Sequence, residues 1–376
     1  MKVLFITPED IPEKCQTGGM QCVARDFQAI QKIYGENNVQ RIFVGPSDTL
    51  KNNNSVMSYP MIENRVDKLF NALKGRRYLS KSVENQLIEA IRKLKADIIF
   101  IVGPYFGSMI KRLKNENTKI ILIEQNVEKS YYQMLTKKKK HMWLLQKAVE
   151  KQEKLSVNNC DYIICLNQRD SDLMKECYNR TADFLSYISF EDQFDENKVN
   201  LECDNELLFI GSYFEPNYDG IKWFIENIMT KLPEFRLSIV GKNFEKVRQE
   251  LEQKNVKVIG TVDNLEEYYY RFPVIVMPIL YGAGMKVKTA EAMMYGKTIL
   301  ASDEALVGYE TDGIKGIFRC NTAEEYIEVI HDIFNKKNIY NFNEDQQSVR
   351  NLYLEKYNTA GFEKRLKEYL EGECLR

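Results

Sequence analysis

The sequence predicts an α/β fold built from two Rossmann-like domains of similar size. Apolar runs typical of buried parallel strands alternate with helix-forming segments along nearly the whole chain. The alternation breaks at residues 189–205, which are acidic and polar without periodicity, and then restarts. A chain of 376 residues is also longer than one ordinary core supports. We therefore predict domains at residues 1–190 and 205–340, and C-terminal helices at 341–376 that pack back towards the first domain.

The first domain begins with an apolar strand, Lys2–Thr7. A loop carrying Gly18 and Gly19 follows, and then a helix over residues 20–34. The remaining predicted elements are strands at Gln40–Gly45, Asp97–Val102, Lys119–Glu124 and Asp161–Leu166, a surface loop at 50–58 and a long charged helix at 128–158.

The second domain repeats the alternation, which implies two similar sheets with a cleft between them. Ligands of such folds bind at the carboxyl ends of the strands. Its predicted strands are Glu206–Gly211, Phe235–Gly241, Val256–Gly260, Pro273–Met277 and Lys297–Ser302, and its predicted helices are 217–231, 244–253, 265–270, 322–335 and 345–371.

The composition excludes several classes of protein. The formal net charge is −1, whereas a dedicated nucleic-acid binder normally carries a basic excess. The longest apolar stretch, Ala96–Ile110, is too short and too interrupted to span a bilayer, and the first residues form a strand rather than a signal peptide. Eight cysteines without a CxxC pair, with only two histidines, argue against a zinc site. We predict a cytoplasmic protein that requires no metal or cofactor.

The segment Gly282–Gly296 is the most informative part of the chain. It follows the apolar strand Pro273–Met277 and combines two glycines with Lys286 and Lys288 before a helix that carries Glu291. Backbone N–H groups and the helix dipole favour an anion at such a helix start, and the lysines add full charges. The carboxylate, about one turn further, could accept hydrogen bonds from sugar hydroxyls. The pattern predicts a nucleotide-sugar site.

Each of these features alone also has an ordinary explanation. A glycine after a strand is often only a turn residue, lysines near a helix start are often solvated, and a glutamate there complements the dipole. Their combination between two predicted strands favours a ligand site. The spacing matches neither the Walker loop nor the GxGxxG motif.

The order of the motifs resembles the GT-B glycosyltransferases, specifically the retaining family 4, or glycosyl transferases group 1. The similarity covers nearly the whole chain and is strongest from Leu208 to Tyr309. The resemblance implies two Rossmann-like domains facing each other across a cleft. It also implies sugar transfer from a nucleotide diphosphate donor, held mainly by the second domain, to an acceptor held mainly by the first. The segments that carry it are Leu208–Ser212, Asn217 with Gly220–Phe224, Leu237–Lys242, Val258–Val262, Gly282–Gly296 and Val307–Gly308.

Two departures from the family pattern concern the charge at the donor site. Glu291 matches the second glutamate of the family's E-x7-E motif, a ribose-binding position, but Ala283 stands in place of the first glutamate. Ser212 stands where the family commonly has an arginine, and the lysine of that pair is also missing. A leaving diphosphate carries about two to three negative charges that must be neutralised. Lys286, nearest the glycine turn, is the first candidate for this role.

The resemblance also extends to backbone contacts with the donor. Gly18 and Gly19 match the glycine loop that faces the donor phosphates across the cleft, although a plain flexible connection is the alternative. Val262, just after a strand, resembles the position where main-chain groups contact the nucleobase. The predicted catalytic residues are Lys286 and Glu291, and the predicted nucleotide-sugar-binding residues are Gly18, Gly19, Ser212, Lys242, Val262, Gly284, Met285 and Lys288.

A polar segment of the first domain, Gln125–Glu128, follows a predicted strand and begins a helix. Related sequences often carry a similar polar set there, so Asn126 and Glu128 are the predicted acceptor residues. In the alternative interpretation Asn126 only caps the helix, with Glu128 in its first turn.

Retaining GT-B enzymes are thought to use the donor's own phosphate to take the acceptor's proton, which requires positioning and charge stabilisation rather than a carboxylate pair. Asp170-Ser-Asp172 has the D-x-D form of a metal motif, but it also suits a helix start. The basic run Lys137–Lys140 beside Trp143 could contact an anionic membrane or a lipid-diphosphate acceptor, with a solvated helix face as the alternative.

The sequence therefore predicts a retaining glycosyltransferase that uses a nucleotide-sugar donor and a glycan or lipid-linked acceptor. Bacterial surface polysaccharide, such as capsule or O-antigen, is the predicted product class, with peripheral contact to the inner membrane face. A non-catalytic GT-B accessory subunit is the main alternative, because the first glutamate and the Arg/Lys pair are missing. A nucleotide-sugar epimerase is a weaker alternative.

Overall fold

The computed structural model describes residues 1–8, 10–11, 18–50, 56–114, 117–199, 205–282, 284–335 and 344–374. The chain divides into two compact units. The first unit comprises Met1–Tyr187 with Glu363–Arg376, and the second comprises Ile188–Phe362. Residues 344–362 thus group with the second unit, whereas the sequence assigned them to a separate C-terminal segment.

The first unit is built on a parallel sheet with helices between its strands. Over the ranges given above, the sheet has seven strands in the order β3-β2-β1-β4-β5-β6-β7. The strands are β1 (Val3–Thr7), β2 (Val39–Gly45), β3 (Val56–Pro60), β4 (Ile98–Val102), β5 (Lys119–Glu124), β6 (Tyr162–Cys165) and β7 (Phe184–Leu185), and the helices are α1 (Gly18–Tyr34), α2 (Arg65–Leu73), α3 (Lys81–Leu94), α4 (Gly107–Leu113), α5 (Glu128–Lys138), α6 (Trp143–Asn159) and α7 (Gln168–Tyr178).

The central strands of this sheet are buried along their whole length. Every residue of β1 and β4 is buried, as expected when helices cover both faces of a parallel sheet. Side chains also fix several helix starts: the Ser80 hydroxyl accepts a hydrogen bond from the N–H of Val83 at α3, and the Asn64 amide accepts from Val66 at α2.

The second unit has a parallel sheet of the same kind. Its described residues give six strands in the order β10-β9-β8-β11-β12-β13. The strands are β8 (Glu206–Ile210), β9 (Arg236–Val240), β10 (Val256–Gly260), β11 (Val274–Met277), β12 (Thr298–Ala301) and β13 (Ile317–Arg319), and the helices are α8 (Glu215–Asn227), α9 (Arg248–Leu251), α10 (Glu266–Arg271), α11 (Val287–Met294), α12 (Asp303–Leu306), α13 (Ala323–Asn335) and α14 (Glu344–Leu352). The last helix, α15 (Thr359–Tyr369), begins in the second unit, and from Glu363 onward its residues belong to the first unit.

Two predicted helices are interrupted. The helix predicted at 128–158 is two helices, α5 and α6, joined by a 3₁₀ turn at Lys140–Met142. The break falls within the lysine run, where positive side chains suit a helix C-terminus. The helix predicted at 345–371 is also wrong as one element, because the π-helical turn Tyr353–Tyr357 separates α14 from α15.

Several further predictions are corrected by the structure. Part of the predicted surface loop at 50–58 is strand, since Val56 begins β3, while residues 51–55 lie outside the described part of the chain. The helix predicted at 244–253 is a 3₁₀ turn, Phe244–Val247, followed by the four-residue α9. No helix within the described ranges is long and apolar enough to cross a membrane.

Candidate functional site

The loop between β11 and α11 lies at the carboxyl end of a central strand of the second sheet. β11 pairs with β8 on one side and with β12 on the other. The strand order therefore reverses between β8 and β11, which makes this position the topological switch point of the sheet. Open α/β sheets bind ligands at such a point. A Cβ at Gly220 would lie 2.0 Å from the carbonyl oxygen of Pro278, so a glycine is needed for α8 to approach the loop.

Lys288, in the first turn of α11, extends towards β8 and α8. Its Nζ donates a hydrogen bond to Oδ1 of Asn217 at 2.5 Å and lies 4.8 Å from the centroid of the Phe209 ring. Nδ2 of Asn217 in turn donates to the carbonyl of Ser212 at 2.7 Å. Asn217 is buried, so its two hydrogen bonds hold the ammonium in one place.

Lys286, at the end of the loop, and Lys288, in the first turn of α11, have different partners. Nζ of Lys286 donates to the Glu304 carboxylate at 2.5 Å and to the carbonyl of Gly284 at 2.8 Å. The Lys288 ammonium instead donates to an uncharged amide, that of Asn217. Burial, aided by the Lys286 ammonium and opposed by the Glu291 carboxylate, lowers the pKa of Lys288 to about 7. A bound anion would stabilise the protonated form of this lysine.

Glu291 lies on the second turn of α11 and is partly buried. Its Oε2 accepts a hydrogen bond from the Tyr269 hydroxyl at 3.1 Å, and the Tyr269 ring stacks on Tyr295 with centroids 4.6 Å apart. Burial raises the pKa of Glu291, whereas the Tyr269 hydrogen bond and the Lys288 charge lower it. The aromatic pair therefore holds the carboxylate beside the lysine.

Other predicted residues of the loop are also placed by the structure. Gly284 has a left-handed backbone with φ of 64°, and Met285 is buried. The hydroxyl of Tyr309 donates to the carbonyl of Lys286 at 2.8 Å, which tethers the end of the loop. Ala283 lies outside the described residues.

The predicted donor residues at neighbouring strand ends are more exposed. Ser212 and Lys242, which follow β8 and β9, have exposed side chains, and the Lys242 carbonyl accepts from the N–H of Tyr213 at 2.8 Å. Val262 is partly buried and comes two residues after β10. All three lie at the same sheet edge as the loop, because the strands are parallel.

Residues that sequence reasoning missed hold α11 in position. The Thr289 hydroxyl donates to the carbonyl of Ala305 at 2.8 Å. The buried Arg350 donates to the carbonyl of Met294 at 2.6 Å and to the Asp192 carboxylate at 2.5 Å. This arginine satisfies a carbonyl at the C-terminus of α11 and complements the helix dipole. No local pattern in the sequence connects Arg350 with α11, which is more than fifty residues away.

The sequence predicted that Gly18 and Gly19 lie in a loop, and this prediction is wrong. They form the first turn of α1, and residues 12–17 before them lie outside the described chain. The helical hydrogen bonds extend further towards the N-terminus than the glycines alone indicated. Nε2 of Gln125 donates to the carbonyl of Gly19 at 3.2 Å, which brings the glycine pair and the predicted acceptor segment together within the first unit.

The start of α5 is capped by a distant carboxylate rather than by Asn126. Val127 is the N-cap residue, with no side-chain cap. The Glu153 carboxylate accepts from the N–H of Glu128 at 2.6 Å and from the N–H of Lys129 at 2.9 Å. The capping interpretation of Asn126 is therefore wrong, and Asn126 is left partly exposed after β5.

Glu128 belongs to a buried acidic cluster at the carboxyl end of β5. Glu124, Glu153 and Asp170 are its other members, and all four side chains are buried. Both carboxylate oxygens of Glu124 lack a hydrogen-bond partner in the described chain. Burial and the three neighbouring carboxylates raise the pKa of Glu124 well above its usual range. The cluster therefore favours a protonated Glu124.

Asp170 serves as a structural residue at the start of α7. The Asn167 side chain accepts from the N–H of Asp170 at 3.0 Å and donates to its carboxylate at 2.8 Å. Asp172 accepts from the Gln168 amide at 2.9 Å. Within the described ranges, no set of three or more His, Cys, Asp or Glu side chains is arranged to hold a metal ion.

Comparison with known families gives a match within the second unit. Residues 204–336 match the family model "Glycosyl transferases group 1". This match contains the β11–α11 loop with both lysines and Glu291.

A curated relative is an uncharacterized 44.6 kDa protein in the cps region of Klebsiella pneumoniae. It is 22% identical over 278 residues, which cover 69% of this chain and 68% of the relative.

Solved structures of similar fold extend over nearly the whole chain. Sucrose-phosphate synthase from Thermosynechococcus elongatus superposes with a TM-score of 0.73 at 14% identity and covers 98% of both chains. Anabaena Alr3699/HepE in complex with UDP and glucose superposes with a TM-score of 0.66 at 11% identity, covering 99% of this chain and 100% of the other. The fold and the family match confirm the predicted resemblance and support a glycosyltransferase: this chain has the GT-B fold, and its residues 204–336 match the glycosyl transferases group 1 family.

Proposed function

We propose that this protein is a retaining glycosyltransferase that moves a sugar from a nucleotide diphosphate sugar to a glycan or lipid-linked acceptor. The observation that carries the proposal is the group formed by Lys286, Lys288 and Glu291 at the start of α11. Both lysines lie at the start of α11, beside the switch point of the sheet, and a carboxylate lies one turn further along the helix.

The donor diphosphate would bind at the two lysines and the ribose at Glu291. Lys288 is held by Asn217 and has a lowered pKa, so an anion restores a charge that burial disfavours. Lys286 is held against Glu304, and in this proposal it exchanges that partner for the diphosphate when the donor binds. The lysine charges would neutralise the leaving diphosphate, which makes a metal or other cofactor unnecessary in this proposal.

Retention would follow from reaction on one face of the donor sugar, with the donor phosphate taking the acceptor's proton. The protein then contributes positioning and charge stabilisation. We propose that the first unit supplies the acceptor site, with Asn126 and Glu128 near it. Because the Glu128 carboxylate is buried, Asn126 is the better candidate for direct contact.

Proteins similar to this chain support the proposed donor class and process. A nucleoside diphosphate and a sugar are present in the Anabaena complex, and the Klebsiella relative is encoded in a cps region. We propose that the product is a bacterial surface polysaccharide.

Nucleotide-sugar binding tests this proposal. A panel of UDP-, GDP-, ADP- and TDP-sugars is expected to contain members that raise the unfolding temperature of the wild-type protein, because a ligand that binds only the folded state stabilises it. Lys288→Met, at the proposed phosphate site, should lose this shift. The matched control is Lys257→Met, which removes an exposed lysine near the amino end of β10 and should keep the shift. A panel in which no nucleotide sugar shifts the wild-type transition would contradict the proposed donor class.

A further inference from the structure

Helix α2 carries large apolar side chains on its exposed side. Val66, Leu69, Phe70 and Leu73 are 70%, 57%, 58% and 65% exposed. Their spacing of i, i+3, i+4 and i+7 places them on one stripe of the helix. Within α2, only Ala72 is buried, so the helix contributes little to the core of its unit. An exposed apolar stripe of this kind marks a surface that a membrane or a partner molecule covers.

The surroundings of this stripe are basic. Arg65 and Lys68 on α2, and Lys74 immediately after it, are exposed, against two exposed acids, Asp67 on α2 and Glu63 just before it. The Lys74 ammonium lies 4.5 Å from the centroid of the Phe70 ring. The whole chain has a formal net charge of −1, so this positive excess is local rather than general.

Helix α6 packs beside α2 and also exposes an aromatic side chain together with lysines. Nζ of Lys151 donates to the carbonyl of Lys74 at 3.4 Å, which joins the two helices. Trp143 is 52% exposed, and the Lys147 ammonium lies 5.2 Å from its ring. Trp143, Lys147, Lys151 and Lys154 recur at i, i+4, i+8 and i+11, so they share one exposed side of α6.

We propose that the stripe on α2, with Trp143 and the neighbouring lysines, is a docking surface for an anionic lipid bilayer. Apolar side chains flanked by lysines suit the boundary between acyl chains and anionic headgroups, where a tryptophan also partitions. A second copy of this chain fits the surface poorly, because a two-fold contact would place the same basic groups against each other. The surface is distinct from the nucleotide-sugar site, so the two proposals can fail independently.

Vesicle co-sedimentation of the full chain tests the docking surface. The wild-type protein is expected to bind phosphatidylcholine vesicles that contain phosphatidylglycerol, to bind pure phosphatidylcholine much more weakly, and to lose binding as salt rises. Leu69→Ser with Phe70→Ser is expected to weaken binding at least about tenfold. Leu354→Ser is the matched control, because it removes an exposed leucine of the second unit, and it should leave binding unchanged.

Three results would overturn the proposal. The first is wild-type protein that stays in the supernatant with anionic vesicles, and the second is a Leu69→Ser, Phe70→Ser variant that binds as well as wild type. The third is a change of mass in sedimentation equilibrium, with the wild type dimeric and the variant monomeric, which would make a second copy the occupant. An unfolding temperature and a far-UV circular dichroism spectrum like those of the wild type would show that the fold of the variant is intact.

Discussion

Lys288→Met is expected to lower the rate of sugar transfer on the order of 10²–10³-fold, the effect typical of removing one preorganised group that stabilises developing negative charge. Methionine keeps most of the side-chain volume beside Phe209 but removes the ammonium held by Asn217. Because burying an ammonium is unfavourable, the variant should unfold at the same or a higher temperature than the wild type. Transfer rate and unfolding temperature, measured on the same preparation, check both expectations. Near-normal transfer by the variant would remove Lys288 from the donor site.

The pH dependence of nucleotide diphosphate binding gives a second readout for the same residue. The pKa of Lys288 is lowered to about 7 in the free protein, and a bound diphosphate favours the protonated form. Above pH 7 the free protein must take up a proton to bind, so the affinity should fall as pH rises, by up to about tenfold per pH unit. The Lys288→Met variant should bind weakly at every pH and lack this slope. Lys288→Arg, which keeps its charge, should bind without the slope.

Glu291→Ala is expected to abolish measurable sugar transfer while the fold persists. A carboxylate that accepts hydrogen bonds from ribose contributes about 1.5–3 kcal/mol, or roughly ten- to 150-fold, to nucleotide affinity. The removed group would also leave the Tyr269 hydroxyl without its acceptor. Tyr269→Phe is the matched control, since it removes that hydrogen bond but keeps the carboxylate and the stacked ring. It should retain most of the activity.

Inorganic pyrophosphate separates the roles of the two residues. If Glu291 contacts the ribose, Glu291→Ala should weaken binding of a nucleoside diphosphate but leave pyrophosphate binding unchanged. Lys288→Met should weaken both ligands, because its charge acts on the phosphates. Equal losses for both ligands in the Glu291 variant would contradict the ribose role and favour a purely electrostatic effect on the lysines.

The main elements of both sheets could be predicted from the sequence, because each central strand is an apolar run bounded by polar residues. β5 was predicted with its observed bounds, Lys119–Glu124, and β10 likewise at Val256–Gly260. Helix boundaries were less predictable where the backbone changes geometry without a change in hydrophobic pattern, as at Lys140–Met142 and Tyr353–Tyr357. Strand β3 was missed because an Asn- and Lys-rich segment precedes it.

The part of the site that lies within one continuous segment of the sequence could be predicted. The loop, both lysines and Glu291 come from one continuous segment, and the structure places them together at a strand end. Their partners come from elsewhere: Asn217 from α8 and Glu304 from α12. Sequence order favoured Lys286 because it lies nearest the glycine turn, whereas only the fold shows that Lys286 faces a carboxylate and Lys288 an amide. Such differences depend on tertiary contacts.

Release of nucleoside diphosphate from a bound nucleotide sugar is the most direct test of the proposed function. Purified wild-type protein should release the diphosphate slowly by donor hydrolysis and faster when its acceptor is supplied. The Lys286→Ala, Lys288→Met and Glu291→Ala variants should not release it. A wild-type protein that binds a nucleotide sugar tightly but releases no diphosphate, with water or with a glycan extract as acceptor, would contradict the enzymatic account and assign the chain an accessory, non-catalytic role.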